Sequence, residues 1–197
     1  MKQVLSFFSL ASLLFVGFSG KVVALSEREG LDIYQRGYYL EAIEYWKKAA
    51  AAGDAGSAYR LSEEYFDAKI VKRDLKTAFK YLQQAAKGND ARAITDLASF
   101  YDYGTGVTKD RRKAAQLYLR AAKMGMPAAM FNVAAMLETG EGIQMNKVEA
   151  YKYYLLSRDQ GFAPFANKAL EEMAANMTVE QIVEAEDLAD NFVPNAF

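Results

Sequence analysis

Two pairs of neighbouring carboxylates, Glu63-Glu64 and Glu171-Glu172, are the side chains best suited to general acid–base work. Both pairs fall in helical patterns, where charged residues usually form a solvated face. The stretch Gly104 to Lys109, GTGVTK, puts two glycines and a lysine where a phosphate could be cradled. It fits neither the dinucleotide fingerprint nor the phosphate loop, and no strand precedes it, so it reads as a structural turn. A third acidic set, Glu180, Glu184, Glu186, Asp187 and Asp190, has no basic residue in its segment. It reads as the solvated outer face of a terminal helix. A cation or basic-partner site is the lesser reading there, because carboxylates along a helix lack the loop geometry of a calcium site.

The chain has no cysteine and no histidine, which removes disulfides, thiol nucleophiles, thiolate zinc sites and imidazole ligands or bases. No enzymatic activity, cofactor or metal is expected. The formal charge of -1 gives no electrostatic footprint for nucleic acid or an anionic membrane.

The 197 residues, 52% of them hydrophobic and 25% charged, are enough for one domain with a real core. Residues 1–24 carry Lys2, an apolar run from Val4 to Phe18 and then Val22-Val23-Ala24, the layout of a cleavable signal peptide with its cut after Ala24. A retained anchor is the rival reading, but the run is shorter than the roughly 20 residues that span hydrocarbon. The mature protein is expected in the periplasm or outside the cell, without membrane insertion.

The elements that would position any site come from a repeat. A shift of 36 residues superposes Ala42, Ala78, Ala114 and Ala150, then Tyr45, Tyr81, Leu117 and Tyr153, then Gly53, Asn89, Gly125 and Gly161. An unbroken period in this range marks a solenoid. Within one unit Ala114, Leu117, Tyr118, Ala121 and Ala122 trace the apolar stripe of a second helix. Asp74, Asp110 and Asn146 stand at the N-caps of such helices, with Glu149 completing a capping-box-like pattern after Asn146, and Gly53, Asn89, Gly125 and Gly161 stand at their ends. Ala93, Leu97, Ala98 and Tyr101 are the core of a first helix, and Gly104 with Gly106, repeated as Gly140 with Gly142, forms the loop between the two.

The pattern AxxxLxxxY, GxGVxxD, KAxxxYxxAAxxG from Ala93 to Gly125 resembles the Sel-one-like repeat, a relative of the tetratricopeptide repeat. The resemblance implies an all-α, right-handed superhelix of helical hairpins, with full units at 54–89, 90–125 and 126–161. Residues 25–53, with a shorter turn, are expected to be an N-terminal capping hairpin of tetratricopeptide type. Residues 162–197 are expected to be C-terminal capping helices, with Thr178 and Gln181 as a capping box and Ile182, Ala185, Ala189 and Phe192 as the buried face. The first full unit departs from the pattern, with Ala68 and Ile70 in place of the loop glycines.

In related arrays the first helices line a concave groove that holds peptides or proteins, so the resemblance implies one here. Its residues are Tyr59, Glu63 and Phe66, then Arg92, Thr95, Ser99 and Asp102, then Phe131 and Glu138. Tyr59, Phe66 and Phe131 are expected as outward-facing aromatic anchors. On that expectation, Tyr59→Ala with Phe131→Ala leaves thermal stability nearly unchanged and weakens partner capture. The aromatic set Tyr38, Tyr39, Tyr45, Trp46, Tyr81, Tyr118, Tyr153 and Tyr154 is expected mostly in the core. The function expected is an exported scaffold or regulator binding a protein or peptide. An envelope hydrolase of cell-wall or β-lactam type, and a structural subunit of an envelope secretion, polysaccharide or motility complex, remain alternatives.

Overall fold

The computed structural model describes residues 25–195. The expected signal peptide, residues 1–24, lies outside the described residues, as do residues 196–197. The described residues form ten α-helices and no strand: α1 Glu27–Gln35, α2 Tyr39–Ala51, α3 Ala55–Asp67, α4 Leu75–Lys87, α5 Ala91–Tyr103, α6 Arg111–Lys123, α7 Pro127–Thr139, α8 Lys147–Ser157, α9 Ala163–Ala174 and α10 Val179–Asp190. Each helix packs on the next through α9, and α10 lies against α8, giving a right-handed superhelix of hairpins. None of the described helices is long and apolar enough to cross a membrane.

The boundaries follow from side chains able to satisfy free backbone groups. Asp74 accepts from the amides of Lys76 and Thr77, Asp110 from that of Lys113, and Asn146 from that of Glu149. Only the Asn146 half of the anticipated capping box forms, because the Glu149 carboxylate turns to Lys152 at 2.5 Å. At Thr178 and Gln181 both halves form. Two of the first helices are capped as well, α3 by Asp54 and α5 by Asp90, while α7 starts at Pro127 with no side-chain cap.

The loop inside each of the three full units is closed by the same hydrogen bond. The amides of Asp74, Asp110 and Asn146 donate to the carbonyls of Tyr65, Tyr101 and Leu137 at 2.9, 2.8 and 2.9 Å. Gly104 and Gly140 take a left-handed backbone to reach it, and so does Ala68, at φ 59°, without being glycine. Ile70, where the other loops have the left-handed Gly106 and Gly142, does not. The first loop thus keeps the glycine-type helix end and loses the second left-handed turn.

Small residues let the helices close up. Ala42, Ala58, Ala85, Ala93, Ala98, Ala114, Ala121, Ala129, Ala134 and Ala150 are fully buried, and Trp46, Leu61, Tyr118, Met130 and Val133 fill the spaces between them. Of the aromatic set, Trp46, Tyr118, Tyr153 and Tyr154 are core, whereas Tyr38 and Tyr39 are exposed on the N-terminal hairpin. In that hairpin Gly30 is buried where any Cβ would overlap the Trp46 indole, whose Nε1 donates to the Glu27 carbonyl at 3.2 Å.

Candidate binding face

The caps Asp54 and Asp90 fix where α3 and α5 begin, and so fix which side chains the first helices present together. Tyr59 does not face outward as expected. It is 9% exposed, its hydroxyl donates to Asp96 Oδ2 at 2.9 Å, and the Arg92 guanidinium lies 4.5 Å over its ring. Phe66 is half-buried against Phe100, with ring centres 5.6 Å apart. Phe131 is half-buried among Tyr154, Phe162 and Phe165, at 5.4, 5.7 and 6.2 Å. These rings belong to the contacts between successive units. The expectation that Tyr59→Ala with Phe131→Ala spares stability is therefore corrected, since truncating a buried aromatic costs about 3–5 kcal/mol.

The polar members of the set also have internal partners. The Arg92 side chain makes two bonds to Glu27, at 2.9 and 2.8 Å, and two to Asp90, at 3.1 and 2.6 Å. Glu27 also accepts from Arg60 at 2.7 Å, and its two arginines hold its carboxyl below the usual range. Thr95 is buried and donates to the Ala91 carbonyl, Asp102 pairs with Arg111 at 3.6 Å, and Glu138 accepts from the Tyr154 hydroxyl at 3.0 Å.

Three of the nine residues nevertheless converge. Glu63 and Phe66 of α3 and Ser99 of α5 line one cleft of about 260 Å³, completed by Ser62, Asp67, Leu82, Asp96 and Phe100. Its two aromatic walls stand beside three carboxylates. Glu63 is paired with Arg60 at 3.0 Å and Asp67 with Lys69 at 2.8 Å, whereas the direct partner of Asp96 is the neutral Tyr59 hydroxyl. Burial pushes the Asp96 carboxyl up and the Tyr59 hydrogen bond opposes this in part, while burial and the Asp96 charge push the Tyr59 hydroxyl well up. Such a cleft suits a side chain with an apolar stem and hydrogen-bond donors or a positive charge. Its serines are poorly placed for nucleophilic work. Ser62 donates to the Tyr59 carbonyl at 2.7 Å, and Ser99 faces the buried Tyr118 hydroxyl.

The sequence reading passed over Asp96 because its counterparts one unit away, Arg60 and Asn132, share only polarity with it. The spacing of 37 between Tyr59 and Asp96, one repeat plus one residue, is the signal that could have found the pair. The Glu63-Glu64 pair splits. Glu64 is 7% exposed, occupies the place of Phe100 and Met136 in later units, and burial raises its carboxyl. Glu171 and Glu172 are exposed, and among the described residues no cluster of acidic side chains could hold a metal.

Four consecutive stretches, residues 25–54, 55–90, 91–126 and 127–162, match the Sel1 repeat. The chain belongs to the Sel1 repeat family. Sel1 repeats generally serve as protein-interaction scaffolds rather than catalysts. A Sel1 repeat protein from Oxalobacter formigenes, solved by crystallography, is 31% identical with a TM-score of 0.61, over 64% of this chain and 95% of that one. The crystal structure of c5321, a protective antigen of uropathogenic Escherichia coli with a Sel1-like repeat fold, is 21% identical with a TM-score of 0.53. It is matched over 84% of this chain and 44% of that one, a likeness of fold. No curated protein matches the chain.

Proposed function

We propose that this Sel1 repeat protein is an exported, non-catalytic scaffold or regulator that holds a segment of a protein partner along its first helices α3, α5 and α7. The observation that carries the reading is the α3–α5 cleft. It brings Glu63, Phe66 and Ser99 together with Asp67 and Asp96 on a face otherwise closed by packing. Arg92 and Phe131 support that face through contacts between units, Asp102 and Glu138 through contacts within their own hairpins and Thr95 within α5, and Tyr59 sets the Asp96 carboxylate from beneath. Affinity in such a groove rests on a few side chains seated in pockets rather than on the whole surface.

Photo-crosslinking residues placed at Ser99 and Asp67, and at exposed Lys80 on α4 as a reference, test this in the native envelope fraction. The same partner captured from both cleft positions and absent from the Lys80 position supports the reading. Identical capture from all three, or capture from Lys80 alone, refutes it. Residence of the processed chain in that fraction, with its N-terminus at Leu25, checks export.

A further inference from the structure

The last helix presents a second surface. α10 rests on α8 with Ala185 fully buried and Ile182, Ala189 and the following Phe192 packed against the core. Beyond it, Phe192 meets Tyr153 edge-on at 6.5 Å, Pro194 lies beside Gly125, and the Asn195 amide donates to the Lys123 carbonyl at 2.8 Å. The described chain thus leaves α10 toward the α6–α7 turn and does not cross its other face.

That other face carries the exposed carboxylates expected from the sequence, with exposed apolar side chains among them. Val179, Val183 and Leu188 are 73, 48 and 40% exposed and line a shallow depression of about 510 Å³ with Glu180, Glu184 and Asp187. Inside a repeat array a face of this kind is covered by the next helix. Val179 and Val183 lie along one edge of this face and Leu188 along the other, with Glu180, Glu184 and Asp187 between them, a mixed surface that an amphipathic helix laid beside it can match. Charge selects which one. Every charged residue from Ala169 to Phe197 is acidic. A second copy docking through its N-terminal hairpin would offer Arg28, Arg36, Lys47 and Lys48 mixed with Glu29, Asp32, Glu41 and Glu44, with no cationic excess. Like charges brought together at an interface select against that pairing.

We propose that the outer face of α10 is a docking site for an amphipathic helix of a partner protein that sets lysine or arginine against the acidic centre and apolar side chains against its edges. This surface is separate from the cleft between α3 and α5 and does not depend on it.

The test uses a synthetic leucine–lysine amphipathic helix and a leucine–glutamate peptide of identical apolar pattern, each titrated into the purified protein with hydrogen exchange as the footprint. The lysine peptide is expected to bind at least about tenfold more tightly than its acidic counterpart and to weaken about tenfold from low to high salt. It should protect amides of α10, and the double variant Val183→Ser with Leu188→Ser should lose about tenfold in affinity while melting as the parent does. Equal binding of the two peptides, no binding, a footprint away from α10, or affinity unchanged in the double variant would overturn the proposal. So would a concentration-dependent dimer that the double variant dissolves, since a second copy would then cover the face.

Discussion

Replacing Tyr59 by Phe keeps the ring, and with it the contact to Arg92, and removes only the hydroxyl that donates to Asp96 at 2.9 Å. A hydrogen bond to a charged acceptor contributes about 1.5–3 kcal/mol. Asp96 also lines an open cleft, so water replaces part of the lost bond and the expected loss at pH 7 is about 1–2 kcal/mol. For a protein of this size that lowers the melting temperature by about 2–8 °C. The pH dependence has a definite sign. The folded-state pKa of Asp96 is raised, so its contribution is fully present below the unfolded value and is lost as pH rises through the folded value. Tyr59 holds that pKa down in part, so Tyr59→Phe raises it further and enlarges the cost of the ionised form. Scanning calorimetry of both proteins from acid to neutral pH should show a gap that is widest at pH 7 and closes on acidification. Carbon-detected titration of Asp96 should show the higher pKa in the variant. Equal melting at pH 7, or a gap that widens in acid, would refute the assignment of the hydroxyl as the partner that carries Asp96.

Glu27→Gln should cost about 1 kcal/mol at neutral pH, a modest figure because its ion pairs are partly exposed, and the difference should vanish as the pH falls through the lowered pKa of Glu27. Urea melts at two pH values read this. Ala68→Gly relieves a left-handed alanine and should raise stability by about 0.5–1 kcal/mol, whereas Gly104→Ala at the matching helix end should lower it by a similar amount, both measurable by thermal denaturation.

The architecture was legible because it is written in local signals. The 36-residue register, the caps at Asp74, Asp110, Asn146 and Thr178 and the left-handed glycines each act within a few residues of themselves, and each stands in the structure. The face was less legible. Helical periodicity assigns Tyr59, Phe66 and Phe131 to a side of a helix without saying what the next unit places against that side. Tyr59 meets residues of α5, Phe66 meets Phe100, and Phe131 meets Tyr154 and the turn after α8. Glu64 misled for the complementary reason, since a charge in a helical pattern is usually solvated and this one fills a core position. Ala68 shows the opposite economy: the helix end demanded a backbone shape, and a residue ill suited to it adopted that shape because the closing bond from Asp74 to Tyr65 is kept.

The Glu27 clamp changes how the array behaves as a chain of modules. In an ideal solenoid each unit couples only to the adjacent one, so opening can begin anywhere and spread by single units. Glu27 binds Arg60 in the next unit and Arg92 in the one after, 65 residues away, and so ties three units at one point. The N-terminal half is therefore expected to melt as one cooperative block. The last helices, joined through the kink at Gln160 and Gly161, are tied back to the α6–α7 turn by one backbone hydrogen bond from Asn195 to Lys123 rather than by a charged clamp, and are expected to fray first.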